Sequence, residues 1–61
     1  MTKDILKLLA KGYTNAEIGA ELGITSKTAA NYVSALIQAF GAKNRLDLVI
    51  KAIKGGLVNV E

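Results

Sequence analysis

The sequence predicts an all-α domain of four helices, on three observations. Its apolar residues recur with the helical period of three to four rather than in strand-like alternation. Proline is absent, so no ring interrupts a helix. Glycines stand where the periodic stretches stop, at Gly12, Gly23, Gly41 and the pair Gly55 and Gly56, as expected where a chain leaves a helix through a left-handed residue.

The first helix is expected from about Thr2 to Lys11. Ile5, Leu6, Leu8 and Leu9 share one broad face, while Lys3, Lys7 and Lys11 repeat along the opposite one. Lys11 complements the helix dipole ahead of the Gly12 stop. The second helix opens on Thr14-Asn15-Ala16-Glu17, the form of a capping box, with Tyr13 placed to staple onto Ile18. It is short and ends by Leu22, before Gly23. The third begins at Thr25 or Ser26, both good caps. It carries an apolar stripe of Val33, Leu36, Ile37 and Phe40, and stops at Gly41. The fourth begins at the cap Asn44, with Leu46, Val49, Ile50 and Ile53 expected as its inner face, and is closed by Gly55 and Gly56. The tail from Leu57 to Glu61 has no helical assignment and is the one stretch that could read as a strand.

Sixty-one residues hold one domain, 1–61, and one small core, for which a hydrophobic content of 51% is suitable. With no cysteine and no histidine, the chain lacks disulfides, thiolate metal sites and the commonest general base. An enzyme is therefore not expected, nor a cofactor or metal. The apolar stretch Leu46–Ile53 is too short to cross a bilayer and is interrupted by Asp47 and Lys51. The start lacks the apolar core of a signal peptide. These features lead to the expectation of a cytoplasmic, non-membrane protein. The net charge of +3 tilts modestly toward polyanionic partners.

The informative stretch lies within about 15–40. A short helix, a glycine, an apolar residue, hydroxyl residues and a longer helix make the sequence form of a helix-turn-helix. Gly19 costs up to about 1 kcal/mol of helix propensity relative to alanine, so close backbone packing is the reason to expect it there. Ile18, Leu22 and Ile24 are placed to plug the wedge between the helices. Thr25, Ser26 and Thr28 cluster at the start of the longer helix, where amides and hydroxyls suit a phosphate oxygen.

From Leu6 through the capping box to Ile24, the chain resembles the first half of a LuxR/GerE-type domain. Ser26-Lys27-Thr28 with Val33 resembles that family's recognition-helix start, and Lys43-Asn44-Arg45 resembles the segment before its final helix. The resemblance implies a four-helix helix-turn-helix transcription regulator bound to double-stranded DNA, with RNA polymerase as a further partner. The third helix, about 25–40, would enter the major groove. The fourth, about 44–54, would form a dimer contact.

Mapped onto this chain, the base-facing positions are Lys27, Ala30, Asn31 and Ser34. Asparagine bonds bidentately to adenine, lysine reaches guanine or phosphate, and alanine offers apolar contact to a thymine methyl. Backbone contacts are expected from Thr25, Ser26, Thr28, Tyr32, Lys43, Asn44 and Arg45. Departures from the family pattern fall at Ala30 and Ser34, where basic or amide residues are usual. Tyr32 stands in place of a histidine and Ala29 in place of a valine, and the lead-in Met1-Thr2-Lys3-Asp4 is short.

Leu48, Ala52 and Leu57 fall outside the expected inner face and are read as the dimerisation stripe. A two-fold dimer would set its recognition helices about 34 Å apart on a pseudo-palindromic site. The methionine close before the first helix favours a stand-alone regulator over an excised domain. The competing readings are a sigma-factor-like promoter-binding region and a protein-interaction module that has kept the fold.

Overall fold

In a computed structural model of the chain, the described residues are 1–58. The strand-like reading of the tail therefore falls largely outside them. Four helices follow one another: α1 (Thr2–Ala10), α2 (Asn15–Leu22), α3 (Ser26–Ala39) and α4 (Arg45–Lys54). Among the described residues there is no strand, and no helix is long and apolar enough to cross a membrane.

Each boundary follows from local chemistry. Thr14 accepts from the Glu17 amide at 3.2 Å while Glu17 accepts from the Thr14 amide at 2.8 Å, the reciprocal capping box expected for α2. Thr25 caps α3 by accepting from the Thr28 amide at 3.0 Å, and Asn44 caps α4 by accepting from the Asp47 amide at 2.8 Å. Every helix closes alike: a positive-φ glycine turns the chain, and the next amide returns to a carbonyl of the last turn. These return bonds are Tyr13 to Leu8 at 3.1 Å, Ile24 to Gly19 at 2.9 Å, Ala42 to Ile37 at 2.9 Å and Leu57 to Ala52 at 2.9 Å. They satisfy helix-end carbonyls that would otherwise be orphaned.

The core gathers Ile5, Leu6, Leu8 and Leu9 of α1, Ile18 of α2, Ala29 and Val33 of α3, and Leu48 and Ala52 of α4, with Val58 closing one end. Tyr13, Leu22, Ile24, Leu36, Ile37 and Phe40 pack around this centre. The wedge between α2 and α3 is built as the sequence suggests. A Cβ placed on Gly19 would lie 2.6 Å from the Ile24 carbonyl oxygen and 3.1 Å from the Thr25 carbonyl carbon. The side-chain space at Gly19 is thus taken by the backbone of the turn, and Ala29 of α3 is fully buried in the core.

The fourth helix differs from expectation. Its fully buried residues are Leu48 and Ala52, while Leu46 is 69% and Ile50 41% exposed. Relative to the expected inner face the helix is turned by roughly 80°, at 100° per residue. Contrary to the expectation of a dimerisation stripe, Leu48 and Ala52 are core residues with no exposed surface; of that set only Leu57 is exposed. The physical reason is space. The small Ala52 lets α4 pack closely on α1 and α3, and half-buried Val49 and Ile53 complete the contact.

The Gly19→Ala variant is expected to lose about 1–3 kcal/mol despite alanine's better helix propensity, because overpacking against backbone exceeds the propensity gain. Urea denaturation checks this; an unchanged or raised midpoint would contradict the close approach.

Candidate nucleic-acid interface

The outer face of α3 emerges directly from its packing. Ala29 and Val33 face the core, so Lys27, Asn31 and Ser34, spaced by four and three, share the opposite side and are all exposed. Ala30 is half-buried at the margin of this stripe, which confines it to contact through its methyl. Gln38 continues the stripe four residues beyond Ser34 and is exposed. Sequence reasoning did not single it out, although its spacing from Asn31 and Ser34 was the available signal. Tyr32 is 42% exposed, leaving part of its ring against the protein and part open.

At the start of α3 the three hydroxyl residues divide. The Thr25 hydroxyl caps the helix and donates to Thr28 Oγ1 at 2.9 Å. This fixes the pose of both threonines. Ser26, on the first turn, is exposed. Exposed Thr25 and Ser26 thus stand at the helix start, where the dipole favours an anion.

A second cluster forms where the chain enters α4. Lys43 and Asn44 are exposed. The Lys43 amide donates to Asp47 Oδ2 at 2.9 Å, and Lys51 pairs with the same oxygen at 3.3 Å. Asp47 therefore orders the segment that presents the Lys43 side chain. Arg45 is differently placed. It is half-buried, donating from Nη1 to Asn15 Oδ1 at 2.8 Å and from Nη2 to the Tyr13 carbonyl at 2.9 Å. Asn15 as its partner was not anticipated from the sequence.

Two carboxylates are held below their ordinary values. For Glu17 the leading cause is the hydrogen bond from the Thr14 amide, then that from the Thr14 side chain. For Asp47 it is the bond from the Lys43 amide, followed against burial by Lys51. Among the described residues no group of three or more histidine, cysteine or acidic side chains is arranged to hold a metal. The arrangement presents donors and one cation along a helix, with hydroxyls and amides at its start, and suits an anionic polymer that also offers acceptors.

Comparison with known proteins is consistent with that geometry. The profile of the bacterial regulatory proteins of the luxR family, GerE, matches residues 2–52. The chain is 39% identical over 57 residues to the transcriptional regulatory protein DegU of Brevibacillus brevis, covering 93% of this chain and 24% of that protein. It is 35% identical over 54 residues to the transcriptional regulatory protein DesR of Bacillus subtilis, covering 88% and 27%. It is 38% identical over 56 residues to the transcriptional regulatory protein LiaR of the same species, covering 92% and 26%. The chain thus spans about a quarter of the length of these relatives. No solved structure gives a significant match.

The lowered carboxylates set an acid limb. A group whose folded pKa is depressed contributes stability that is complete above its unfolded value, about 4, and is lost as pH falls through the folded value. Thermal melts should therefore be flat from neutral pH down to about 5 and fall below about 4. That fall should be shallower in Glu17→Gln than in the wild type; identical acid limbs would show that the capping-box carboxylate does not contribute.

Proposed function

This chain belongs to the luxR family of bacterial regulatory proteins, and we propose that it is the sequence-specific DNA-binding domain of a transcription regulator. It places α3 in the major groove, binds as a homodimer to a pseudo-palindromic site, and works with the DNA in the cytoplasm. The observation that carries this reading is the exposed stripe of Lys27, Asn31 and Ser34 on a helix held by a tight helix-turn-helix.

The roles divide by chemistry. Asn31 reads adenine through its amide, and Lys27 donates to guanine or to the nearest phosphate. Ser34 bonds a base edge, and Ala30 offers its methyl to thymine. Ser26 and the amides at the start of α3 take a phosphate, with Thr25 and Thr28 holding that turn in place. Tyr32 presents its hydroxyl to the backbone, and Lys43 and Asn44 contact it from the loop before α4.

Since Leu48 and Ala52 are buried in the core, the dimer contact falls on Leu46 and Ile50, one turn apart on α4. These two are large, apolar and exposed, the usual mark of a surface with a partner. Leu57, just beyond the helix, is 38% exposed. The contact is small, so the dimer forms chiefly on DNA, where adjacent half-sites raise the effective concentration of one copy at the other.

A fluorescence-anisotropy titration with random-pool duplex, followed by sequencing of the retained fraction, tests the function. The expected result is salt-dependent binding with enrichment of a two-fold motif. No binding at low salt would remove the DNA-reading function and favour a protein-interaction module. On the selected site, Asn31→Ala is expected to cost about 1–3 kcal/mol and to relax preference at one adenine, whereas Lys43→Ala should weaken all sequences evenly and reduce the salt slope by about one. The Ile50→Asp variant should bind one half-site normally and lose cooperative binding to two; retained cooperativity would remove α4 as the dimer contact.

A further inference from the structure

We propose that Arg45 is a positioning residue that sets the angle between α4 and the helix-turn-helix, and with it the half-site spacing a dimer accepts, in place of the phosphate ligand its basic character suggests. The inference rests on the dimeric DNA-reading function proposed above. Its structural basis is a single guanidinium bridging two helices whose backbones stand apart. No Cα of α2 lies within 8 Å of a Cα of α4, yet Arg45 at the start of α4 donates to Asn15 at the start of α2 and to the Tyr13 carbonyl just before it. The Tyr13 amide is itself bonded to Leu8 of α1 at 3.1 Å. The clamp therefore grips the corner where α1 ends and α2 begins.

Both ends of the clamp are fixed. The Arg45 stem leaves the first turn of α4, whose entry is held by the Asn44 cap and by the bond from Lys43 to Asp47. On the other side Asn15 follows the capping box of Thr14 and Glu17. A planar guanidinium can donate to two separate acceptors at once along fixed directions. A lysine ammonium keeps the charge but lacks that fork.

The consequence for function is geometric. Leu46 and Ile50 ride on α4, and Lys27, Asn31 and Ser34 ride on α3. In a two-fold dimer made through α4, any rotation of α4 against the helix-turn-helix displaces both recognition helices by symmetry-related amounts, in opposite directions across the axis, and so changes their separation. A clamp that pins the rotation of α4 therefore selects one separation of half-sites. Core packing of Leu48 and Ala52 turns Leu46 outward, and the clamp locks that rotation at the start of the helix.

The test uses duplexes carrying two selected half-sites at varied separations, titrated with wild type, Arg45→Lys and Asn15→Ala. Wild type is expected to prefer one separation. Both variants should lose roughly tenfold or more of that preference while binding a single half-site within about threefold of wild type and with an unchanged salt slope. A phosphate ligand would behave oppositely: Arg45→Lys would keep the spacing preference, and Arg45→Met would lower the salt slope by about one. Either of those results overturns the proposal.

A urea double-mutant cycle between Arg45→Lys and Asn15→Ala reads the clamp without DNA. The combined loss in the folding constant should fall short of the product of the single losses by about threefold or more, and additive losses would overturn the clamp. Were wild type to bind no DNA, the regulator function and the spacing claim would fall together, and the cycle alone would decide whether the clamp exists.

Discussion

The geometry of this domain depends on one close approach, that of α2 to the turn leading into α3. Gly19 accepts the Ile24 amide at 2.9 Å through its carbonyl, and the space where its side chain would stand lies 2.6 Å from the Ile24 carbonyl oxygen. The turn is thus hydrogen-bonded to α2 and pressed against it at the same residue. Gly23 takes the left-handed conformation that reverses the chain within this short distance, at φ 72°. Because the turn is fixed, the Thr25 cap and the direction of α3 are fixed as well. Ala29 and Val33 of α3 are buried in the core, and the outward stripe beginning at Lys27 is set by where those two must go.

Around that constraint, local chemistry contributes much of the order. A domain of 61 residues without cysteine has little core to spare and no covalent staple. Side-chain caps, worth roughly 0.5–2 kcal/mol each, are then a sizeable share of a net stability of about 5–15 kcal/mol or less. Three of the four helices begin on a hydroxyl or amide cap, and all four end on a glycine with a returning amide bond. The loops between them are short for this reason, and the helix starts that face outward have defined poses.

What the sequence made legible follows the range over which each interaction acts. The capping box of Thr14 and Glu17, the Asn44 cap and the glycine stops connect residues three to five apart, and their residue types are specific to the job. The outer stripe of α3 was legible too, because its apolar positions form one narrow arc and leave Lys27, Asn31 and Ser34 only one side to occupy. The face of α4 was not. Leu46, Leu48, Val49, Ile50, Ala52 and Ile53 surround most of that helix, so periodicity left the buried arc undetermined, and preference for bulky residues pointed away from Ala52. The bond from Arg45 to Asn15 was likewise hidden. It joins residues 30 apart in the chain, and a basic residue at a helix start near a candidate DNA face reads first as a phosphate ligand.

In the proposed function the last two helices have separate tasks, α3 the reading of bases and α4 the pairing of two copies, and the Arg45 bonds to Tyr13 and Asn15 are proposed to set the angle between them. The measurement that tests this division most directly is an amide chemical-shift titration of the isotope-labelled chain with a duplex carrying a single selected half-site. The amides of Ser26–Ser34 and of Lys43 and Asn44 are expected to shift, while those along the lysine face of α1 and at Leu46 and Ile50 stay in place. Shifts concentrated at Lys3, Lys7 and Lys11, with the α3 amides unmoved, would contradict it.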